Sequence, residues 1–132
     1  MLKKLLIATA SALSSSICMA NSNIPTDPAF AKIEQLTQAN KMQEAYQELE
    51  KLAKIGNVKA MEALGYSNQT GQGIAKNEMK AVQFYEQAAK KNSPVSNYVL
   101  GRNYLTGELG LKQDTAKAKQ YLQTASNQGF ND

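Results

Sequence analysis

A chain of 132 residues with 42% apolar side chains is long enough for one domain with a modest core, and too short to accommodate two comfortably. It carries 15 basic and 11 acidic side chains. Lys3 and Lys4 fall in a leader-like segment, and without them 13 basic groups face 11 acidic ones, a balance too even to support a nucleic-acid or membrane-surface footprint. There is no His and no Trp, and the single cysteine, Cys18, also lies in the leader. The remainder therefore lacks the usual acid–base and thiol machinery of catalysis, and only carboxylates are left as metal ligands. No catalytic residue, metal or cofactor is expected.

Residues 1–20 have the three parts of a secretory signal. Met1–Lys4 is positively charged, Leu5–Ile17 is apolar but softened by Ser and Thr, and Cys18-Met19-Ala20 ends in a small residue suited to cleavage. This pattern predicts export to the periplasm or beyond, with cleavage after Ala20 and a mature start at Asn21. The apolar run is too short and too rich in Ser for a stable membrane span. Lipidation of Cys18 would require a small residue before it, and Ile17 is not one. The mature chain then has no cysteine, so in an oxidising compartment packing alone must hold it together.

Residues 21–27 read as a tether. Its last residue, Asp27, also stands where a helix cap is needed before Pro28. From there the chain reads as helix after helix over residues 28–132. The expected spans are 28–39, 41–55, 58–70, 77–91, 94–106 and 114–128. Asn77, Asp114 and Ser93 occupy N-cap positions, the last before Pro94, and Gly56 and Gly129 stand where a left-handed residue ends a helix. No segment alternates long enough for a strand. The fold class is all-α.

The helices repeat. Leu64-Gly65 recurs as Leu100-Gly101 and Gly71 as Gly107, an offset of 36; beyond that loop the offset is 37, matching Asn77 to Asp114, Ala81 to Ala118, Phe84 to Tyr121 and Ala88 to Ala125. One extra residue therefore sits between Gly107 and Gly110. Going backward, Ala45 matches Ala81 and Gly56 matches Asn92, so part of a further unit precedes the two full ones. Gly65 and Gly101 fall in mid-helix, where glycine costs about 1 kcal/mol relative to alanine. A cost repeated at one register implies close approach of a second helix.

Gly56-Asn57-Val58-Lys59-Ala60, Leu64-Gly65, Gly71-x-Gly73-Ile74, Asn77, Lys80-Ala81, Phe84-Tyr85 and Ala88-Ala89 resemble a Sel-one-like repeat. The second copy runs through Tyr98, Leu100-Gly101, Tyr104, Gly107, Asp114, Ala118, Tyr121 and Ala125. The segment Met42, Ala45, Leu49, Leu52-Ala53 is closer to the second helix of a tetratricopeptide repeat. The resemblance covers residues 28–129 and implies an α-α superhelix, a right-handed solenoid of about three helical hairpins. Asn68 departs from it where an aromatic residue is usual, and Pro94 and Ser96 stand in for small alanines. The mature chain also lacks the paired cysteines of the branch for which beta-lactam-directed activity has been proposed.

Glu44, Glu48 and Glu50 lie on one helix with Lys51 and Lys54 spaced to pair with Glu48 and Glu50, a solvated ion-paired face. Thr70-Gly71-Gln72-Gly73 is a turn without the lysine and helix start of a phosphate loop. Of the six tyrosines, Tyr85, Tyr104 and Tyr121 occupy packing positions. The resemblance implies that the first helix of each hairpin lines a concave groove. There Lys59, Glu62, Tyr66 and Gln69 form one stripe, and Val95, Tyr98, Arg102 and Leu105 the equivalent stripe one repeat later, with Arg102 the only arginine in the chain. Aromatic and Arg side chains are the types that anchor interfaces.

These features predict an exported scaffold that binds a protein or peptide through its concave face. A toxin-neutralising immunity or inhibitor protein is the alternative, and an enzyme of cell-wall or beta-lactam chemistry fits less well. No nucleic acid and no stable membrane insertion after cleavage are expected. At the last helix Tyr121 and Ala125 should turn inward, leaving Leu122 and Phe130 exposed as an end-on interface for weak self-association or partner docking.

Overall fold

The computed structural model describes residues 27–130; the leader, its cleavage site and most of the tether lie outside them. Six helices follow in order among the described residues, with no strand: α1 (Pro28–Gln38), α2 (Met42–Lys54), α3 (Val58–Thr70), α4 (Glu78–Lys90), α5 (Pro94–Thr106) and α6 (Thr115–Asn127). Each packs on the next, most extensively within the hairpins α3/α4 and α5/α6. The chain is an all-α repeat solenoid of three hairpins; α1, α3 and α5 are its A helices and α2, α4 and α6 its B helices.

Local chemistry sets the helix starts. The side chains of Asp27, Asn77, Ser93 and Asp114 each accept a hydrogen bond from the backbone N–H of Ala29, Lys80, Ser96 and Lys117, as expected of N-caps. Asn57 does the same for Ala60 at 3.0 Å, a cap that the repeat pattern alone did not single out. The A helices α3 and α5 end at Gly71 and Gly107, whose φ values of 71° and 76° lie in the left-handed region that favours glycine. After each, the N–H at the head of the B helix (Asn77, Asp114) donates back to a carbonyl near the end of the A helix (Asn68, Tyr104), at 2.8 and 2.9 Å.

The extra residue of the second loop has a structural use. It carries Leu109 in the left-handed region at φ 56°, and Leu109 is buried in the cluster formed by Ala81, Val82, Tyr85 and Leu100. A second cluster gathers Ile33, Ala45, Leu49, Ala60, Met61 and Leu64 with Ala88 of α4, so the first hairpin shares its core with the repeat that follows.

The two mid-helix glycines explain themselves through what covers them. A Cβ on Gly65 would stand 2.8 Å from the Tyr85 ring, and one on Gly101 2.7 Å from Leu122 Cγ. Tyr85 and Leu122 are equivalent under the 37-residue offset, so α4 and α6 each lay one large side chain on their own A helix. The fully buried alanines Ala60, Ala81 and Ala88 let the backbones come that close.

The acidic face of α2 is ion-paired, though not with every expected partner. Glu48 accepts from Lys51 at 2.9 Å and from Lys32 of α1 at 3.1 Å, and Glu44 lies 3.9 Å from Lys41. Hydrogen bonds from Lys51 and then Lys32 hold the Glu48 carboxyl below its ordinary range. Among the described residues no ion pair joins Glu50 to Lys54; Lys32, reaching across from α1, and Lys41, at the head of α2, pair with Glu48 and Glu44.

Candidate binding surface on the A helices

On α3 and α5 the buried side is made by Ala60, Met61 and Leu64, and by Ser96 and Leu100. Positions 59, 62, 66 and 69, and 95, 98, 102 and 105, recur at helical spacing on another side. Lys59 and Arg102 are exposed, Tyr66 is 46% exposed, Val95 39% and Leu105 45%, whereas Glu62, Gln69 and Tyr98 are half-buried. Both stripes therefore occupy a partly open face, with the half-buried members, two in the first stripe and one in the second, held from the side.

What holds them differs between the repeats. Behind the first stripe, the Tyr85 hydroxyl donates to Gln69 Oε1 at 2.9 Å. Burial first, and then the neighbouring Tyr66 and Glu62, push the Tyr85 phenol up to about 12. Glu62 accepts a hydrogen bond from the hydroxyl of Ser93, the N-cap of α5, which ties one A helix to the start of the next. In the second stripe Tyr98 takes the place of Glu62 and Phe130 the place of Ser93. Their rings pack at 4.8 Å between centroids, tilted by 42°. The Arg102 guanidinium lies 6.0 Å from the centroid of the same Tyr98 ring.

This arrangement corrects the expectation for the last helix. Leu122 does not face outward; it covers Gly101, and it is half-buried, as is Phe130 against Tyr98. Apart from Ala116, the exposed positions of α6 are polar, among them Lys117, Lys119, Gln120, Gln123 and Asn127. The sequence did contain the signal, since the offset that matches Phe84 to Tyr121 also matches Tyr85 to Leu122. Ala125 turns inward as expected, and Tyr121 stacks on Tyr104 at 5.7 Å with the rings nearly parallel. Burial, followed by Tyr104 and Glu86, raises the Tyr121 phenol.

The departures from the repeat pattern have structural partners. Asn68, 2% exposed, donates through Nδ2 to the Tyr46 hydroxyl and to the Leu64 carbonyl, both at 2.8 Å, so a side chain from α2 fills the space an aromatic residue would take. Ser96 is fully buried, and its hydroxyl has no hydrogen-bond partner among the described residues. Two shallow clefts also open, the second of them reaching Gln69 of the first stripe. One, of about 290 Å³, lies beside Glu86, Lys90 and Tyr121 on the B helices with Asn97; the other, of about 350 Å³, lies at the loop edge beside Lys76, Glu78 and Glu108. Neither contains a nucleophile–base pair. Among the described residues no three His, Cys, Asp or Glu side chains come together as metal ligands, and no helix is long and apolar enough to cross a membrane.

With this geometry in hand, the family can be stated. The Sel1 repeat model matches residues 58–93 and 94–130, the α3/α4 and α5/α6 hairpins with their capping turns, and the chain belongs to the Sel1 repeat family. It is thus a helical-repeat scaffold of a family that serves protein interaction and is generally not catalytic. Among solved structures it is similar to a Sel1 repeat protein from Oxalobacter formigenes, with 30% identity and a TM-score of 0.70 over 78% of this chain and 80% of that one. It shares its fold with c5321, a protective antigen present in uropathogenic Escherichia coli strains that displays an SLR fold. That match has 23% identity and a TM-score of 0.62, and it covers 82% of this chain but 26% of the antigen.

Proposed function

We propose that the protein is an exported scaffold that holds a protein or peptide partner against the concave face formed by α3 and α5. The observation that carries this reading is where apolar surface is left open. Of the five large apolar side chains most exposed among the described residues, Tyr66, Val95 and Leu105 all belong to the two A-helix stripes. The other two, Ile55 and Met79, sit singly at opposite ends of their hairpins and need no partner to account for them. Binding would come from a preformed surface and a few anchors rather than from bond-making chemistry. The absence of His and of any cysteine beyond residue 20 supports a role without catalysis.

Export rests on the tripartite leader of residues 1–20. N-terminal sequencing of the exported form should begin at Asn21, and a lipidated species beginning at Cys18 would overturn cleavage after Ala20. For binding, the protein purified from the exported fraction serves as bait beside Tyr66→Ala and Arg102→Ala variants. The reading requires partners enriched by wild type and lost by the variants. Enrichment indifferent to both substitutions would move the binding surface elsewhere.

A further inference from the structure

Within this proposed groove the charges are unevenly satisfied. Lys59 and Arg102 both point a cation at the open face and form no ion pair among the described residues. The one carboxylate of the stripes, Glu62, is engaged by Ser93. A neutral hydroxyl leaves that carboxylate charged, so the stripes carry two cations to one anion, a net charge of +1, with Arg102 the one charged side chain of the second stripe. The guanidinium lies 6.0 Å from the centroid of the Tyr98 ring, which itself packs on Phe130, a contact that favours placement of the flat fork beside that ring. A guanidinium placed in this way retains donors that match a carboxylate bidentately. Open apolar surface lies to both sides of it along α5, at Val95 towards the N-terminus and Leu105 towards the C-terminus, with Tyr66 at the matching position of α3.

We infer that Arg102 recognises the side-chain carboxylate of an Asp or Glu within an extended peptide segment whose neighbouring aliphatic or aromatic residues contact Tyr66, Val95 and Leu105. The inference rests on the groove reading above. A side chain within the segment fits better than a chain end, because apolar contacts continue on both sides of the cation. Lys59 adds positive charge at the far end of the first stripe, which makes association sensitive to salt.

The experiment uses the purified protein and a phage-displayed library of random linear peptides with no free C-termini, followed by fluorescence anisotropy on synthetic versions of the enriched sequences. The expected consensus has an acidic residue next to an apolar one. Arg102→Ala should weaken binding about tenfold or more, the usual scale for a buried interface anchor, and Arg102→Lys should recover only part of it. Changing the peptide's Glu to Gln should cause a similar loss, and the two changes together should not add, as for groups that touch. Thermal melts of the variants check that the fold is kept. If peptides bind in a manner that needs Tyr66 or Leu105 but tolerates Arg102→Ala or Glu→Gln, the carboxylate assignment is wrong and the groove reading stands. If no enriched peptide depends on any stripe residue, or none is enriched, both fall.

Discussion

Small side chains decide this structure at two positions, and a buried phenol at a third. Gly65 sits in mid-helix, where Ala would by propensity alone add about 1 kcal/mol of stability. Its missing Cβ is filled by the Tyr85 ring, so Gly65→Ala should instead destabilise, by about 1–3 kcal/mol as for other overpacked sites. Urea unfolding measures this, and a gain in stability would show that the ring yields freely. Ser96 runs the other way. Its buried hydroxyl lacks a partner at the position where the preceding repeat has Ala60, so Ser96→Ala should be neutral or raise stability by about 1 kcal/mol. A clear loss in the same assay would reveal a hydrogen bond that the static structure does not contain. Tyr85 itself makes stability depend on pH. Its phenol titrates higher in the fold than in the unfolded chain, so the neutral form is the favoured one. The contribution is complete below about pH 10 and is lost as pH rises from there towards about 12. A displacement of that size corresponds to about 2–3 kcal/mol for a buried group. Tyr85→Phe should flatten the alkaline fall in stability; an unchanged slope would place its cause in other tyrosines.

At the scale of helices, most of the architecture was legible before the structure. Caps, turn glycines and the 36-residue offset are local signals, and they placed every helix within one or two residues of where it lies. The two stripes were legible for the same reason, since helical spacing separates the side that carries Leu64 and Leu100 from the side that carries Tyr66 and Arg102. What helical spacing could not supply is how each half-buried stripe residue is held, because those contacts come from other elements: Ser93 for Glu62, Tyr85 for Gln69, Phe130 for Tyr98. The misplacement of Leu122 has a different origin. Its place at the end of the repeats, where a next unit would stack, suggests exposure, whereas its equivalence to Tyr85 puts it on Gly101. That correction changes what a substitution should do. Leu122→Lys would drive a charge against the α5 backbone at Gly101, and should destabilise by several kcal/mol, on the order of a disrupted core position. Leu100→Ala should cost about 2–5 kcal/mol as a fully buried leucine. If Leu122→Lys melts like wild type, the side chain is at the surface after all.

For the molecule as a whole, a stacked array is stabilised by interfaces between neighbours, and its terminal units need polar outer faces to remain soluble. The first hairpin is joined to the rest by a shared core that includes Ala88 and by the Asn68–Tyr46 hydrogen bond, so the three hairpins should unfold together rather than one by one. The last described hairpin already presents a largely polar outer side. Phe130 folds onto Tyr98 at the site that Ser93 occupies one repeat earlier, Leu122 is spent on Gly101, and α6 turns Lys, Gln and Asn side chains outward. Scattered single apolar residues such as Ile55 and Met79 remain, but they do not form the contiguous patch that marks an interface. The end of α6 should therefore not drive association. Sedimentation analysis across a concentration series is expected to show a monomer, and Phe130→Ser to lower the melting temperature without changing the mass. A dimer in the wild type that Phe130→Ser or a charge reversal at Lys117 dissolves would show that this end, polar as it is, still serves as a contact between copies.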